Sequence, residues 1–265
     1  MTAKKTAAPA SRRQSYSAPA LEKGLDVLEL LSREPDGLSL SDIAKRLGRS
    51  VGELFRMLVV LEQRGYLILP AGSDRYQLSL KLFELSHQFP PVKRLTAAAT
   101  KVMKRLAYQI EQSCHLVIYY EGRGHVVVQQ DAPSARIFSV RLGAEASLVD
   151  TCSGHILLAY ADEAQQEAMF NSIPKHHKKP TKKLVKELSK RICTQGYESI
   201  SSAQAHGVED IGCPVFDHNG SIVAALVMPF LSYKDGSHPK TLDEALEQLQ
   251  KAAVDISEAL GYRSE

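Results

Sequence analysis

The sequence has few of the features that mark membrane, secreted or zinc-binding proteins. No apolar stretch reaches the ~18–20 residues that a membrane-spanning helix needs. Residues 1–17 are rich in Ala, Lys, Arg and Ser without an apolar centre, so we expect no secretory signal. The cysteines Cys114, Cys152, Cys193 and Cys213 form no C-x-x-C pair. We therefore expect reduced thiols in the cytoplasm rather than a zinc ribbon or a disulfide scaffold.

Net charge is also nearly absent. The 265 residues carry 33 Lys and Arg against 30 Asp and Glu, a formal charge of +3. Residues 1–90 hold 13 basic and 10 acidic residues, whereas residues 91–265 hold 20 of each. The basic tail at 1–17 supplies more than this excess, because residues 18–90 alone have a net charge of −1. An anionic partner is expected at the N-terminal end, where the tail is either a DNA-touching arm or a solvated terminus.

The first third of the chain has the pattern of a helix-turn-helix. Leucines at helical spacing between residues 21 and 31 predict a first helix. Ser39 or Ser41 can cap the start of a second helix, and Gly48 can end it in a left-handed conformation. A third helix is predicted from about Val51 to Arg64. Two short helices joined by a Gly-containing turn are typical of a helix-turn-helix.

The third helix is the predicted DNA-reading helix. With Leu54 pointing inward, Arg49, Gly52 and Arg56 fall on the opposite side. Glu53 flanks that outer face. Arginines can contact phosphates or guanine edges, and a glycine lets a DNA backbone approach closely. For one such helix in isolation, an ordinary solvated face is the simpler interpretation.

A predicted β-hairpin after the third helix favours DNA binding. Residues 66–70 and 75–78 have the pattern of short strands around a turn at 71–74. Three helices followed by a small hairpin follow the plan of a winged helix-turn-helix, although winged helices can also bind proteins. Arg75 lies near the hairpin tip, where it would contact the DNA backbone. The predicted DNA-contacting residues are Ser39, Arg49, Ser50, Gly52, Glu53, Arg56 and Arg75.

The rest of the chain predicts an α+β domain. A short helix is predicted before the Pro90-Pro91 break and a longer one after it. The predicted strands are 115–120, 125–130, 136–142, 211–216 and 221–228. The predicted helices are 92–112, 151–168, 181–194 and 242–260, with a polar loop at 171–180. Antiparallel strands flanked by helices are typical of a sensor domain. The whole chain is 44% hydrophobic, so it can bury a core.

These residues resemble the IclR family of bacterial transcription regulators from Pro19 to the end of the chain. The matching motifs are ALEKGL at 20–25, LSDIA at 40–44, FRML at 55–58, LEQRGY at 61–66, YQL at 76–78, Gly154 before LLA at 157–159, GY at 196–197, GV at 207–208 and PVFD at 214–217. The resemblance implies a winged helix-turn-helix, a linker helix and a GAF-like domain that senses a small molecule. It also implies dimers or tetramers formed largely through the N-terminal domains.

The resemblance gives the predicted domain boundaries and effector site. The domains are a disordered basic tail (1–17), the winged helix-turn-helix (18–79), the linker helix (80–91) and the effector domain (92–265). The effector pocket is expected among Leu142, Leu148, Thr151, Cys152, Ser153, Gly154, Asp210 and Val227, although several of these could simply be core.

Several positions depart from what the resemblance implies. The recognition helix has Gly52-Glu53 where the family usually carries a small hydroxyl pair, so a different operator is expected. Members that sense small carboxylic acids are expected to have an acid at position 200, a Cys at 210 and hydroxyls at 227 and 229. This chain has Ile, Asp, Val and Pro there. The hypothesis that follows is a larger, more apolar or cationic effector.

Three functions are weighed. The main hypothesis is a sequence-specific transcriptional regulator on a palindromic operator, controlled by a small-molecule effector. The alternative is a protein-interaction or sensory module that has lost DNA binding, which Gly52-Glu53 would favour. An enzyme with Cys152 as nucleophile is a distant third, because residues 152–155 begin a predicted helix without a G-x-S-x-G motif. No phosphate-binding Gly-rich loop occurs, and lysines flank the His pair in 175–179, so neither a cofactor nor a metal is expected.

Overall fold

The structure is a computed structural model that describes residues 18–88, 90–173, 179, 181–233, 236–237 and 240–263. The predicted basic tail lies outside the described residues, as does most of the His-containing tract at 175–179. The chain divides into two compact units, Met1–Gln88 and Phe89–Glu265.

The N-terminal unit is a three-helix core with a small antiparallel sheet. In chain order its elements are α1 (Pro19–Leu31), β1 (Leu38–Ser39), α2 (Leu40–Leu47), α3 (Val51–Gln63), β2 (Leu67–Ile68), β3 (Arg75–Leu78) and α4 (Lys81–Gln88). The strand order is β1-β3-β2, so the predicted hairpin gains a third strand that the sequence pattern did not indicate. Val27, Ile43, Leu54 and Leu58 are fully buried at the centre of this unit.

Local hydrogen bonds fix where the helices of this unit begin and end. The Ser39 hydroxyl accepts from the Asp42 amide at the start of α2, and Gly48 ends that helix with φ of 62°. At the start of α3, Ser50 and Glu53 form a reciprocal capping box. The start and end of α2 are therefore set by residues that the sequence analysis identified as caps, whereas the Ser50–Glu53 capping box was not predicted.

The C-terminal unit is a six-stranded antiparallel sheet with helices on both faces. Its elements are α5 (Pro90–Ile110), β4 (Cys114–Tyr120), β5 (Arg123–Gln130), β6 (Glu145–Ala146), α6 (Cys152–Tyr160), α7 (Glu163–Ser172), α8 (Lys182–Gln195), β7 (Glu198–Ser201), β8 (Val208–Phe216), β9 (Ile222–Leu231) and α9 (Leu242–Ala259). The strand order is β6-β5-β4-β9-β8-β7. The predicted α+β class, with a helix-turn-helix unit and an antiparallel-sheet unit, is confirmed.

Strand alternation divides the core of this unit into two layers. Leu116 and Leu226 belong to the cluster that α5 and α9 cover. Their neighbours Val117 and Val227 belong to the cluster that contains Ile156 of α6 on the other face. Successive side chains of a strand point to opposite faces, so one continuous apolar strand contributes side chains to both layers of the core.

Three predicted elements of this unit were wrong. Residues 136–142 form no strand, because the side chains of Gln129 and Ser139 bind Asp131 and the side-chain Oε1 of Gln129 accepts from the Leu142 amide. The predicted helix at 151–168 is two helices, since Asp162 makes a new capping box that starts α7. The predicted loop at 171–180 begins later, because α7 continues through Ser172.

Candidate functional site

The outer face of α3 is open at the two positions that the sequence analysis placed at its centre. Arg56 is exposed and makes no side-chain hydrogen bond or ion pair with any described residue. Gly52 is also exposed, and a Cβ added there would meet nothing within 4 Å. The five donors of the Arg56 guanidinium are thus available to an external partner.

The other predicted DNA-contacting residues at the start of α3 also make hydrogen bonds that fix the position of this helix. Arg49 donates from Nη2 to Asp26 Oδ2 at 3.1 Å, while its Nε is buried without a hydrogen-bond partner among the described residues. Glu53 accepts from Lys23 Nζ at 2.7 Å. That contact, together with the bonds from Ser50, lowers the pKa of Glu53 to about 2. Ser50 and Glu53 are therefore positioning residues for the N-terminus of α3.

Ser39 and Arg75 form a second group at the edge of the small sheet. They stand opposite each other in the β1–β3 register. Ser39 caps α2, and Arg75 Nη1 donates to the Gly37 carbonyl oxygen at 2.9 Å. The Arg75 guanidinium thus ties the hairpin to the turn before β1.

An exposed apolar groove lies between α1, α3 and α4. Leu21, Leu25, Val60, Leu82 and Leu85 line it, and each is at least 40% exposed. Its volume is about 570 Å³. The regular leucine spacing of α1 predicted a helix but gave no sign that its first two leucines would face outward. Clustered apolar exposure of this kind marks an interaction surface.

The C-terminal unit contains a cavity of about 120 Å³ between its sheet and the start of α6. Of the eight residues expected at the effector site, Thr151, Cys152, Ser153, Asp210 and Val227 line this cavity. They come from three separate elements, the α6 N-terminus, β8 and β9. Folding therefore brings together most of the predicted set.

The remaining three predicted effector residues do not line the cavity. Leu142 is 65% exposed, and Leu148 is buried in the apolar cluster beneath α6. Gly154 is buried where α6 meets the loop before it, and a Cβ there would lie 2.5 Å from Leu148 Cα. Gly154 is therefore required for the close packing of α6 against the preceding loop.

His115 lines the same cavity, and the sequence analysis did not include it. It is only 7% exposed, and its Nδ1 is buried without a hydrogen-bond partner among the described residues. Burial lowers the pKa of His115 to about 4, so the ring is neutral near pH 7. Alternation along β4 indicates that His115 and Cys114 point to opposite faces of the sheet. The β4–β9 pairing that brings His115 to the cavity is not visible in any local pattern.

Asp210 and Cys152 are two further titratable residues that line the cavity with His115. Burial raises the pKa of Asp210, and nearby Glu209 adds to this, against a lowering hydrogen bond from Ser202. Burial also raises the pKa of the Cys152 thiol well above its ordinary value, and the charges of Asp210 and Glu198 add to this. A neutral thiol is a poor nucleophile.

His155 does not activate that thiol, because its ring is bound elsewhere. Its Nδ1 lies 3.0 Å from Glu198 Oε2 and its Nε2 lies 3.0 Å from the Val149 carbonyl oxygen. Glu198 is fully buried and accepts two hydrogen bonds from Arg191, at 2.8 and 2.7 Å. This network joins α6, α8 and β7, and the sequence analysis missed it because its members are distant in the chain.

Two other kinds of feature are absent from the part of the chain that the structure describes. No group of three or more His, Cys, Asp or Glu residues there could hold a metal ion. Among the same residues, no helix combines the length and apolarity needed to cross a membrane.

Two family models match this chain, the IclR helix-turn-helix domain over residues 20–68 and the C-terminal domain of bacterial IclR transcriptional regulators over residues 92–258. The chain belongs to the IclR family. This IclR-family chain is 27% identical to the XynR regulator of Escherichia coli K12 over 92% of its length and 97% of that protein. It is also 27% identical to the KdgR regulator of Dickeya chrysanthemi over 94% of its length and 82% of that protein.

Solved structures of the family share its fold. The Thermotoga maritima IclR structure matches with a TM-score of 0.71 and 24% identity, covering 91% of this chain and 98% of that one. An IclR homologue from Microbacterium hydrocarbonoxydans, solved with 4-hydroxybenzoate, matches with a TM-score of 0.72 and 20% identity over 91% and 98%. The predicted family, and the function of a transcriptional regulator with a DNA-binding and an effector-binding domain, are confirmed.

Proposed function

We propose that this IclR-family regulator binds a palindromic operator through α3 and that a ligand in the cavity beside α6 changes its DNA affinity. The observation that carries the DNA-binding half is the open face of α3, where Arg56 has no intramolecular partner among the described residues and Gly52 leaves room for a close approach. A guanidinium without a partner can donate two bonds to a guanine edge or to phosphate oxygens.

Arg49, Ser39 and Arg75 would supply phosphate contacts around that centre. The Arg49–Asp26 pair is partly exposed, and such pairs contribute little to stability, so Arg49 can exchange Asp26 for a phosphate at low cost. Ser39 and Arg75 lie together at the β1–β3 edge. Phosphate contacts of this kind position the helix without specifying the sequence.

Low net charge argues that one protomer alone binds DNA weakly. Residues 18–90 have a net charge of −1, which limits the sequence-independent part of the affinity. The apolar groove between α1, α3 and α4 offers a surface for a homodimer, which would present two α3 helices to half-sites ~34–36 Å apart. We propose a homodimer or tetramer acting in the cytoplasm.

We propose no catalytic activity. Cys152, the one thiol among the described residues of the cavity lining, is buried with a raised pKa, and His155 is held by Glu198 and Val149.

The alternative, a protein-interaction module without DNA binding, is supported by an ion pair within the protein that occupies part of the outer side of α3. Glu53 occupies the outer side of α3 and pairs with Lys23 of α1 rather than with an external group. Salt dependence separates the two functions. Phosphate contacts make DNA affinity fall steeply as salt rises, whereas a mainly apolar protein contact is much less sensitive.

The deciding experiment is genome-wide mapping of binding sites for the full chain, followed by gel shifts on the sites found. We expect discrete palindromic sites whose affinity falls with salt. Enrichment no greater than that of an Arg56→Ala, Arg49→Ala double variant would reject specific DNA binding. Arg56 is exposed and the Arg49–Asp26 pair is partly exposed, so the double variant is expected to fold, and it controls for non-specific recovery of DNA.

A further inference from the structure

The cavity beside α6 contains a polar group that lacks a partner. His115 is buried and lines the cavity, and its Nδ1 has no hydrogen-bond partner among the described residues. Buried polar atoms are nearly always paired, and leaving one unpaired is unfavourable. The His115 ring lines the cavity, so a bound molecule can contact the imidazole there.

Sheet register places Asp210 on the same face as that histidine. His115 of β4 stands opposite Val227 of β9, and Val227 stands opposite Gly212 of β8. Asp210 is two residues from Gly212, so both point to the α6 side of the sheet. The cavity is therefore bordered by an imidazole on one strand and a carboxyl group two strands away.

The charges around the cavity are of one sign. Glu145, Asp150 and Asp210 are in its lining, and no described lining residue is Lys or Arg. Glu145 is paired with Arg123, whereas Asp210 accepts a hydrogen bond from the Ser202 side chain and forms no ion pair with any described residue. A partly buried carboxylate without a cationic partner is unfavourable, and a cation supplied by a ligand would relieve this.

We propose that His115 and Asp210 bind the ammonium group of a small amine effector. The proposal rests on the proposed effector function and gives the chemical class of the ligand. An ammonium group has three donors, so it can donate to the Asp210 carboxylate and to the acceptor nitrogen of a neutral His115 together. A carboxylate in the same position would face the Asp210 carboxylate and gain no charge partner.

The volume of the cavity and the start of α6 narrow the choice further. About 120 Å³ is somewhat less than the ~150 Å³ of an engineered cavity that holds one benzene, so the cavity can hold a short amine. The N-terminus of α6, at Cys152 and Ser153, favours an anion in the same cavity. Preference for a carboxylate is therefore the competing outcome of the test.

The test compares ligands of matched length on the full chain. Straight-chain amines of two to five carbons, and the corresponding alcohols and carboxylates, are added at equal ionic strength while thermal unfolding is followed. We expect the amines to raise Tm in a saturable way, the alcohols to raise it less and the carboxylates to leave it unchanged. Stabilisation by carboxylates that equals or exceeds stabilisation by amines would overturn the proposal.

Three variants show whether the two residues bind the amine. Asp210→Asn is expected to weaken amine binding by about tenfold or more, as expected for the loss of a hydrogen bond to a charged group. His115→Leu is expected to keep or raise the ligand-free Tm, because an unpaired polar atom is removed, and to reduce the amine response. Glu209→Gln is the matched control, because it removes the neighbouring carboxylate on the opposite face of β8.

Each outcome of the variant series decides the proposal. A His115→Leu protein with an unchanged amine response would show that His115 is only a core residue. An equal loss in the Glu209→Gln protein would show that the amines respond to overall charge and not to the cavity. Either result overturns the proposed ammonium site.

DNA binding measured on the same preparations separates this proposal from the proposed function. Operator binding together with a carboxylate preference overturns the ammonium site and leaves the regulator function standing. Amine binding without operator binding supports the ammonium site and contradicts the regulator function.

Discussion

The two units keep their functional groups in opposite places. In the N-terminal unit the residues proposed to contact DNA stand on the outside, and Arg56 is exposed without a partner among the described residues. In the C-terminal unit the proposed effector residues are inside, where burial lowers the pKa of His115 to about 4 and raises that of Asp210. A DNA surface needs accessible charge, whereas a small-molecule site uses desolvation to strengthen a few polar contacts.

Glycines show the same contrast most directly. Gly52 in α3 has open space around it, while Gly154 in α6 is pressed against the backbone of the preceding loop. Both are helical, so intrinsic helix propensity favours alanine at each site. Packing alone decides the sign of the effect, and the same substitution in the two units therefore tests the comparison.

Gly154→Ala is expected to have the largest effect. The new Cβ would lie 2.5 Å from Leu148 Cα, and backbone atoms cannot move aside without displacing the loop that borders the cavity. We expect a loss of about 3 kcal/mol in the free energy of unfolding, measured by urea denaturation. A neutral result would mean that α6 and its preceding loop are free to separate.

Glu198→Gln is expected to come next. The buried carboxylate accepts two bonds from Arg191 and faces His155, and removing one partner of such a group leaves the others unpaired. Because Arg191 is 44% exposed, solvent reduces the cost, and we expect about 2 kcal/mol of destabilisation. Glu247→Gln, on the exposed side of α9, is the control and is expected to have no measurable effect.

The pH dependence of stability gives a second measure of that network. Burial alone would raise the pKa of Glu198, but the bonds from His155 and Arg191 outweigh it and the net pKa is lowered. A lowered folded-state pKa contributes stability above the unfolded pKa, near 4.5, and this contribution is lost as pH falls toward the folded value. The wild type should lose more stability than Glu198→Gln between pH 6 and pH 3, and parallel curves would contradict this.

Arg56→Ala is expected to act on DNA binding and not on stability. Loss of one bidentate contact should weaken specific binding by about 1–3 kcal/mol, while the exposed position leaves the unfolding curve unchanged. A gel shift on the mapped operator measures the first and urea denaturation the second. Arg64→Ala, at the C-terminal end of α3, is the matched control. Equal losses of DNA affinity for both variants would show that Arg56 makes no specific contact with the operator.

Gly52→Ala is expected to have the smallest effect on stability and the opposite sign from Gly154→Ala. Nothing lies within 4 Å of the added Cβ, so the better helix former should raise the free energy of unfolding by about 0.5 kcal/mol. If the DNA backbone approaches this position closely, the same variant should bind the operator more weakly. Destabilisation by Gly52→Ala would break the contrast between the two units.

The sequence predicted the N-terminal unit more completely than the C-terminal unit. Its helix ends depend on bonds across three residues, as between Ser39 and Asp42 or Ser50 and Glu53, and such bonds are visible as motifs. In the C-terminal unit, local side-chain bonds around Asp131 replaced a predicted strand. Apolar alternation at 136–142 could not reveal that competition.

Local pattern and motif order determined the family, the fold class and the outward face of α3, because each depends on residues close together in the chain. Only the tertiary structure decided what borders the cavity. His115 and Asp210 share it because β9 lies between β4 and β8, an antiparallel pairing that joins residues 115 and 227. A one-residue change of that register would turn both side chains to the other face of the sheet, and no local pattern specifies it.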